Sequence, residues 1–181
     1  MIKKTIQIGD LVLRTKAEVV KDIKSIKVKK LITDLTDTMR ENNLVGIAAP
    51  QIGVSLRVFV TEIREIKIRK NTEVDKLRVF INPKIISASK KMAKDWEGCG
   101  SVAQGGLFAM VSRPESIQIQ AYNEHAEPFI LQTSGLLARV IQHETDHLDG
   151  IMFTDIAEIK TLIDRDAYLK IKKNKAKTKK L

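Results

Sequence analysis

The segment 135–149, GLLARVIQHETDHLD, has the pattern that most restricts how this chain can fold. Its apolar residues recur at helical spacing, which places Leu137, Ile141 and Leu148 on one side of a helix. Ser134 can cap the start of that helix, and Gly150 suits the position just past its end. Any fold of this chain therefore has to bury the apolar face of this helix.

The same segment contains His143, Glu144 and His147, which match the H-E-x-x-H pattern of zinc metalloproteases. Residues four apart lie one turn above each other in a helix, so both imidazoles can reach one metal ion. Glu144 then lies close enough to contact a water molecule on that ion. The alternative is an ordinary amphipathic helix with two solvated histidines, because this pattern also occurs by chance.

A catalytic ion of this type needs a third protein ligand, and Cys99 is the only cysteine of the chain. Taken alone, a single cysteine is more often a small buried hydrophobic residue than a ligand. Cys99 cannot form an intramolecular disulfide, and the start MIKKTIQIGD is not followed by the apolar stretch of a secretory signal. We therefore expect a location in the reducing cytoplasm.

Length and composition favour one globular domain. The 181 residues (20.4 kDa) are 43% hydrophobic, which is enough to fill a core, and 30% are charged. No apolar run approaches the roughly 18 residues that cross a bilayer, so we expect no membrane partner. These values exclude a disulfide-stapled mini-protein, a membrane protein and, for most of the chain, disorder.

The net charge of +10 is concentrated at the C-terminus. The last twelve residues, KIKKNKAKTKKL, hold seven of the 32 basic residues and no acidic one, which leaves 25 basic and 22 acidic residues elsewhere. We divide the chain into a domain over 1–168 and a lysine-rich tail over 169–181. The tail is either a solvated, frayed terminus or a mobile cluster that contacts the RNA-rich ribosome, without sequence-specific nucleic-acid recognition.

The rest of the chain predicts helices and strands in mixture. Residues Val28, Leu31, Ile32, Leu35 and Met39 predict a helix over 24–41, and a loop follows over 41–53. Strands are predicted over 57–63, 65–69, 79–86 and 116–122, with an exposed turn over 69–76. Residues 151–153 are strand-like, and Asp155 with Glu158 indicates a further helix whose apolar stripe is Ile159, Leu162 and Ile163.

These elements predict an α+β fold, with mixed, mainly antiparallel strands around a central metal-binding helix and with helices near both termini. Three segments also occur in a fixed order, GIAAPQ at 46–51, EGCGS at 97–101 and QHETDH at 142–147. Together they resemble the peptide deformylase family. The similarity extends to Gly9–Arg14, Ile81–Pro83 and His147–Gly150, so it covers about residues 5–155.

The metal ligands that this resemblance implies are Cys99, His143 and His147. It also implies that Glu144 is the general acid and base, and that Gln51 and the backbone N–H of Gly100 stabilise the oxyanion. The positions that it places beside the substrate are Gly46, Ile47, Glu97 and Gly98. The implied reaction removes the N-formyl group from the N-terminal methionine of newly made polypeptides and releases formate.

Two imidazoles and a thiolate suit zinc, iron(II), cobalt or nickel, and the resemblance points to ferrous iron as the native ion. A solvent-facing thiolate beside ferrous iron is prone to oxidation. We therefore expect an activity that fades in air in the iron form and persists in the nickel or cobalt form.

The sequence departs from the common family pattern at two positions, with Leu44 where glycine is common and Gly100 where leucine is common. Leu44 adds bulk near the substrate groove and Gly100 removes a side chain there, so the peptide preference is open. Arg113, Leu136 and the helix of His143 are candidate neighbours of the methionine side chain. Two alternatives are a deformylase-like metallohydrolase with altered specificity and a non-enzymatic ribosome-associated protein.

Overall fold

The computed structural model describes residues 1–66 and 73–178. The helices are α1 (Ile26–Glu41), α2 (Gly135–Leu148), α3 (Phe153–Ile156) and α4 (Arg165–Thr178). The strands are β1 (Gly46–Ala48), β2 (Val58–Ile63), β3 (Asp75–Ala88), β4 (Met92–Gly98), β5 (Leu107–Pro114), β6 (Ser116–Tyr122), β7 (Pro128–Ser134) and β8 (Glu158–Asp164). Short 3-10 helices cover Leu11–Arg14, Ala49–Ile52 and Ala103–Gly105.

The strands form two sheets, one of order β1-β2-β3-β6-β7 and one of order β4-β5-β8. Among the described residues, every strand pair within the sheets is antiparallel, and an isolated parallel bridge joins Glu18 to Leu56. Helix α2 contacts strands of both sheets, including β1, β2, β5 and β7. The predicted α+β class with a central helix is confirmed.

Helix α1 confirms the helix predicted over 24–41. Ser25 caps it by accepting a hydrogen bond from the Val28 N–H, and its apolar face is buried against β1 and β2. The buried core beneath it contains Leu31, Leu35 and Met39. The loop predicted over 41–53 is only partly correct, because the chain forms β1 and the Ala49–Ile52 helix there.

Helix α2 confirms the helix predicted over 135–149, with Ala138, Ile141 and Leu148 buried on one face. Gly150 adopts a φ of 76°, and a Cβ there would lie 2.7 Å from the Arg14 carbonyl oxygen. Glycine is therefore required just past this helix. The side chain of Ser134 makes no capping hydrogen bond, so its predicted capping role is wrong.

Strands β2, β3 and β6 confirm the strands predicted over 57–63, 79–86 and 116–122. Strand β3 begins at Asp75, inside the predicted turn 69–76, because pairing with β2 extends it. The strand predicted over 65–69 lies mainly outside the described residues. Strands β4, β5 and β7 were not predicted.

The prediction of a helix carrying Ile159, Leu162 and Ile163 is wrong, since these residues belong to strand β8. Pairing with β5 places Ile163 opposite Phe108, and this long-range pairing outweighs a local spacing that fits either structure. Asp155 instead caps α3, where it accepts a hydrogen bond from the Met152 N–H at 2.8 Å. The strand predicted over 151–153 is also wrong, since α3 begins at Phe153.

Helix α4 crosses the predicted boundary between residues 168 and 169. Its Tyr168 ring stacks on Phe108, with ring centroids 4.0 Å apart and an interplanar angle of 4°. Residues 169–178 of the lysine-rich segment belong to this helix. Among the described helices, none has the length and apolar character needed to cross a lipid bilayer.

Candidate metal centre

Three side chains that can bind a metal converge at the centre of the molecule. Helix α2 presents His143 and His147 one turn apart, and Cys99 directly follows the last residue of β4. Their ligand atoms all lie within 4.8 Å of one another, and Cys99 Sγ is 3.2 Å from His147 Nε2. The structure thus brings together the three residues that the sequence predicted as ligands.

The donor set fits a divalent transition metal ion. One thiolate and two imidazoles are ligands that zinc, iron(II), cobalt and nickel accept, and three protein ligands leave a position for water or substrate. His143 uses Nδ1 for a carboxylate contact, so its Nε2 is available to an ion. Cys99 is only 3% exposed, so the expectation that its sulfur faces solvent is wrong.

The carboxylate of Glu97 holds His143 in place. Glu97 Oε2 lies 2.9 Å from His143 Nδ1, and Arg113 binds both carboxylate oxygens, from Nε at 2.7 Å and from Nη2 at 3.0 Å. Burial alone would raise the pKa of Glu97, but the hydrogen bonds from His143 and Arg113 hold it well below its ordinary value. The charged carboxylate is therefore stable in this buried position.

A second arginine, Arg139, joins the helix of the histidines to the strands beside the cysteine. Its guanidinium donates to Glu97 Oε1 at 2.6 Å, to the Val111 carbonyl at 3.0 Å and to the Ala93 carbonyl at 2.6 Å. Arg139 was not among the residues predicted from the sequence. The available signal was an arginine four residues before His143, in a helix whose neighbouring positions are apolar.

Arg113 also donates to Asp146, from Nη1 to Oδ2 at 2.8 Å, so its guanidinium is engaged by two carboxylates. Its side chain is buried between β5 and α2, whereas Leu136 is 37% exposed at the start of α2. Arg113 and Leu136 are the two residues that were predicted as candidate neighbours of the methionine side chain.

Glu144 is buried beside the candidate metal ligands. It is 4% exposed, and its Oε2 has no hydrogen-bond partner among the described residues. Burial raises the pKa of Glu144 to about 7, because the charged form is poorly solvated there. Burial also disfavours the charged form of His147 and therefore lowers its pKa. Burial would lower the pKa of His143 too, but its hydrogen bonds to Cys99 and Glu97 raise it above its ordinary value.

The backbone of Gly46 lies directly against Glu144. A Cβ added at Gly46 would be 2.6 Å from Glu144 Oε1 and 2.8 Å from Val140 Cγ1, closer than carbon atoms tolerate. The next residue, Ile47, is completely buried in the core beneath α1. Of these two predicted substrate-binding residues, Ile47 is therefore buried together with its backbone, and its predicted contact with a peptide is not visible in the structure.

Gln51 is held so that its amide nitrogen points to the cysteine. Its Oε1 accepts a hydrogen bond from the Ala48 N–H at 2.7 Å, and its Nε2 lies 3.4 Å from Cys99 Sγ and 3.4 Å from Ser101 Oγ. The side chain is 2% exposed. The structure thus brings Gln51, to which the resemblance assigns an oxyanion contact, next to the candidate ligands.

The two glycines that flank the cysteine have different surroundings. A Cβ at Gly98 would lie 2.6 Å from Phe108 Cε1, so the ring of β5 requires glycine there. The carbonyl of Gly100 accepts hydrogen bonds from Gln7 Nε2 at 2.9 Å and from Thr5 Oγ1 at 3.3 Å. The N-terminal segment therefore fixes the backbone that follows the cysteine.

Comparison with known proteins gives a consistent result. A model of the polypeptide deformylase family matches residues 2–161. The chain is 42% identical over 157 residues to a peptide deformylase of Natranaerobius thermophilus, covering 87% of this chain and 93% of that protein. It is 41% identical over 146 residues to peptide deformylase 1 of Clostridium perfringens, covering 81% and 91%.

Solved structures agree with this assignment. A class I type b peptide deformylase from Acinetobacter baumannii, bound to Met-Ala-Ser, has a TM-score of 0.81 and 30% identity, with 86% of this chain and 98% of that chain covered. A peptide deformylase from Synechococcus elongatus, in complex with actinonin, has a TM-score of 0.74 and 34% identity, covering 85% and 78%. This chain belongs to the peptide deformylase family and is a hydrolase that removes the N-formyl group from newly made polypeptides.

Proposed function

We propose that this chain deformylates N-formylmethionyl peptides with Cys99, His143 and His147 as metal ligands and with Glu144 as general acid and base. The observation that carries the proposal is the meeting of three ligand atoms within 4.8 Å beside a buried carboxylate that has a free oxygen. When bound there, a divalent ion lowers the pKa of a water molecule and polarises an amide carbonyl.

Glu144 moves the proton in this proposal. Its Oε2 accepts a proton from the water that attacks the formyl carbon. The carboxyl then donates that proton to the amide nitrogen of formylmethionine, so that the carbon–nitrogen bond breaks to give a neutral amine and formic acid. The formic acid releases its remaining proton to solvent and leaves as formate. Without this transfer the nitrogen would leave as an amine anion, which is a very poor leaving group.

Gln51 and Gly100 stabilise the negative charge that develops on the formyl oxygen. The amide nitrogen of Gln51 is buried and directed towards Cys99, and the backbone N–H of Gly100 follows the same cysteine. Preorganised donors of this kind are each worth about 3 kcal/mol of the activation barrier. Their positions are fixed by Ala48 on one side and by Gln7 on the other.

The substrate peptide binds between β1 and β4. Both are edge strands, and β4 is largely accessible, so its backbone can pair with an extended peptide. Residues 46–48 are buried, so on the β1 side the accessible backbone begins at Val45. The predicted substrate-binding residues lie on these strands, with Gly46 and Ile47 in β1 and Glu97 and Gly98 in β4. In this arrangement Glu97 contributes through its backbone, because its carboxylate is turned to Arg113 and His143.

Formate release from formyl-Met-Ala-Ser tests this function. The product would be Met-Ala-Ser, the peptide bound to the Acinetobacter baumannii relative. We expect metal-loaded protein to release formate and to leave acetyl-Met-Ala-Ser intact. Equal hydrolysis of the acetylated peptide would favour a metallohydrolase of altered specificity. Absence of hydrolysis with every metal would favour the non-enzymatic alternative, which nothing in the comparisons supports.

We further propose ferrous iron as the native ion and the cytoplasm as the location. Thiolate and iron(II) are both oxidisable, so the iron form should lose activity in air while nickel and cobalt forms persist. Activity is compared after identical exposure of the three forms to air. Equal air stability of the iron and nickel forms would contradict the assignment of iron.

The lysines of the C-terminal segment 169–181 are proposed to contact ribosomal RNA, the polyanion nearest to nascent peptides. Lys170, Lys172 and Lys173 are exposed on α4. Replacing these three by glutamine should weaken cosedimentation with ribosomes and leave turnover of formyl-Met-Ala-Ser unchanged. The matched control replaces the exposed Lys24, Lys27 and Lys29. If both variants cosediment with ribosomes to the same extent as the unmodified protein, the proposal is contradicted.

A further inference from the structure

Leu44 and Gly100, the two positions at which the resemblance implied a departure, lie beside each other in the structure. A Cβ added at Gly100 would lie 3.4 Å from Leu44 Cδ1 and 3.7 Å from Leu44 Cδ2. These are van der Waals distances, so a methyl group would just touch the leucine. A longer side chain at position 100 that extends in this direction has no room unless Leu44 moves.

Each partner is fixed by a different part of the molecule. The Leu44 N–H donates to the Met39 carbonyl at 3.0 Å, and its partly buried side chain packs against the core beneath α1. Gly100 is tied to the N-terminal segment through the hydrogen bond from Gln7 Nε2. The Leu44 side chain therefore packs on one anchored segment and lies beside another, which is anchored independently.

These segments are the two walls of the proposed peptide groove. Leu44 precedes Gly46 by two residues, and Gly46 lies against Glu144. Gly100 directly follows Cys99 and β4. A peptide that lies between β1 and β4 with its formyl group at Glu144 has to continue past one end of these strands, where Leu44 reaches over Gly100.

We propose that Leu44 and Gly100 act as one complementary pair that determines peptide preference. Leu44 supplies, from the β1 wall, the apolar surface that meets the residues after formylmethionine, and Gly100 provides the space that Leu44 needs. The preferred substrates are then formylmethionyl peptides with an apolar side chain at the next position. This inference rests on the proposed function.

A double-mutant cycle in kcat/KM tests the pairing, with Leu44→Ala, Gly100→Leu and the combined variant. Gly100→Leu should lower kcat/KM for formyl-Met-Leu-Ser at least tenfold, because the new side chain overlaps Leu44. The combined variant should recover to within about threefold of Leu44→Ala alone, because the leucine at position 100 then no longer overlaps Leu44. Additive effects of the two changes would overturn the pairing.

Comparison of two peptides tests the specificity. Leu44→Ala should raise KM for formyl-Met-Leu-Ser about fivefold more than KM for formyl-Met-Ala-Ser, with kcat nearly constant, as expected for lost apolar contact. The matched control is Leu77→Ala, which removes a leucine that packs against the same core from β3. An equal KM change for both peptides, or the same pattern in the control, would overturn the specificity role.

These measurements separate the inference from the function on which it rests. Formate release by the unmodified protein, together with additive variants, would overturn only the pair. An unmodified protein that releases no formate from either peptide would overturn the proposed function and the pair with it. If Gly100→Leu alone fails to fold, the KM comparison of Leu44→Ala with its control decides the outcome.

Discussion

The candidate metal centre has two faces that differ in how their polar atoms are used. The ligand-holding face consists of Glu97, Arg113, Arg139 and His143. Its carboxylate accepts hydrogen bonds from two guanidinium groups and contacts an imidazole. The substrate face consists of Gly46, Gln51 and Glu144, and there Glu144 Oε2 has no partner among the described residues.

This difference separates positioning from chemistry. Buried charges are stable only when they are paired, and every pairing on the ligand-holding face also restricts the orientation of His143. An unpaired buried oxygen costs free energy of folding, so it persists where water or substrate uses it. The ligand-holding face therefore fixes the orientation of His143, and the substrate face leaves Glu144 Oε2 available to a water molecule or a substrate.

The largest expected effect is on the substrate face. Glu144→Gln keeps the shape of the side chain and removes its ability to accept a proton, so kcat should fall about 10³-fold. Metal content should stay the same, because the change leaves all three ligands in place. Formate release and metal analysis on the same preparation check this. A fall in kcat of less than tenfold would contradict the role of Glu144.

Gly46→Ala should lower kcat by about 100-fold, since a displacement of about 1 Å in a catalytic group has an effect of this size. The added methyl group would lie 2.6 Å from Glu144 Oε1, so the carboxylate has to move. The measurement is kcat in metal-loaded protein. As a control, Gly105→Ala adds a methyl group that meets nothing within 4 Å, although its φ of 76° costs some stability. A Gly46→Ala variant no slower than this control would exclude the steric effect.

On the ligand-holding face, Arg139→Met should weaken metal binding about tenfold. The reason is that Arg139 orients the Glu97 carboxylate, which in turn holds His143. Arg139→Lys keeps the charge and should recover part of the affinity, since one of the three contacts can re-form. Affinity for Co(II) is measured by competition with a chelator. Identical affinities in all three proteins would show that Arg139 does not position the ligands.

The smallest effect is expected away from both faces. Tyr168→Ala removes the ring that stacks on Phe108 and should lower the free energy of unfolding by about 1 kcal/mol, with kcat unchanged within about twofold. Tyr122→Ala, at a tyrosine that is 37% exposed, is the matched control for stability. A large fall in kcat for Tyr168→Ala would mean that α4 takes part in positioning the metal centre.

Much of the fold was predictable where local spacing and packing agree. Helices α1 and α2 were predicted because their apolar residues keep the helical spacing over two or more turns. Strand β6 was predicted because its apolar and polar residues alternate. Strand β8 was not, since Ile159, Leu162 and Ile163 fit a helical spacing equally well. Only its pairing with β5, some 50 residues away in sequence, selects the strand.

The candidate site shows the same limit. The histidine spacing is local, so it predicted two ligands and the adjacent carboxylate within one helical turn. Resemblance supplied Cys99, and the structure places it beside them. Sequence could not show that Arg139 contacts Glu97, or that Gly46 lies against Glu144, because both contacts join elements far apart in the chain.

Cobalt titration of metal-free protein under anaerobic conditions tests the central claim, that one sulfur and two imidazoles bind a single ion. We expect one equivalent of cobalt to bind. Its spectrum should show a thiolate-to-cobalt charge-transfer band and visible bands with the intensity typical of four-coordinate cobalt. Cys99→Ser should abolish the charge-transfer band, and His147→Ala should weaken binding. The account is contradicted if the unmodified protein shows no charge-transfer band, or if the band remains in Cys99→Ser.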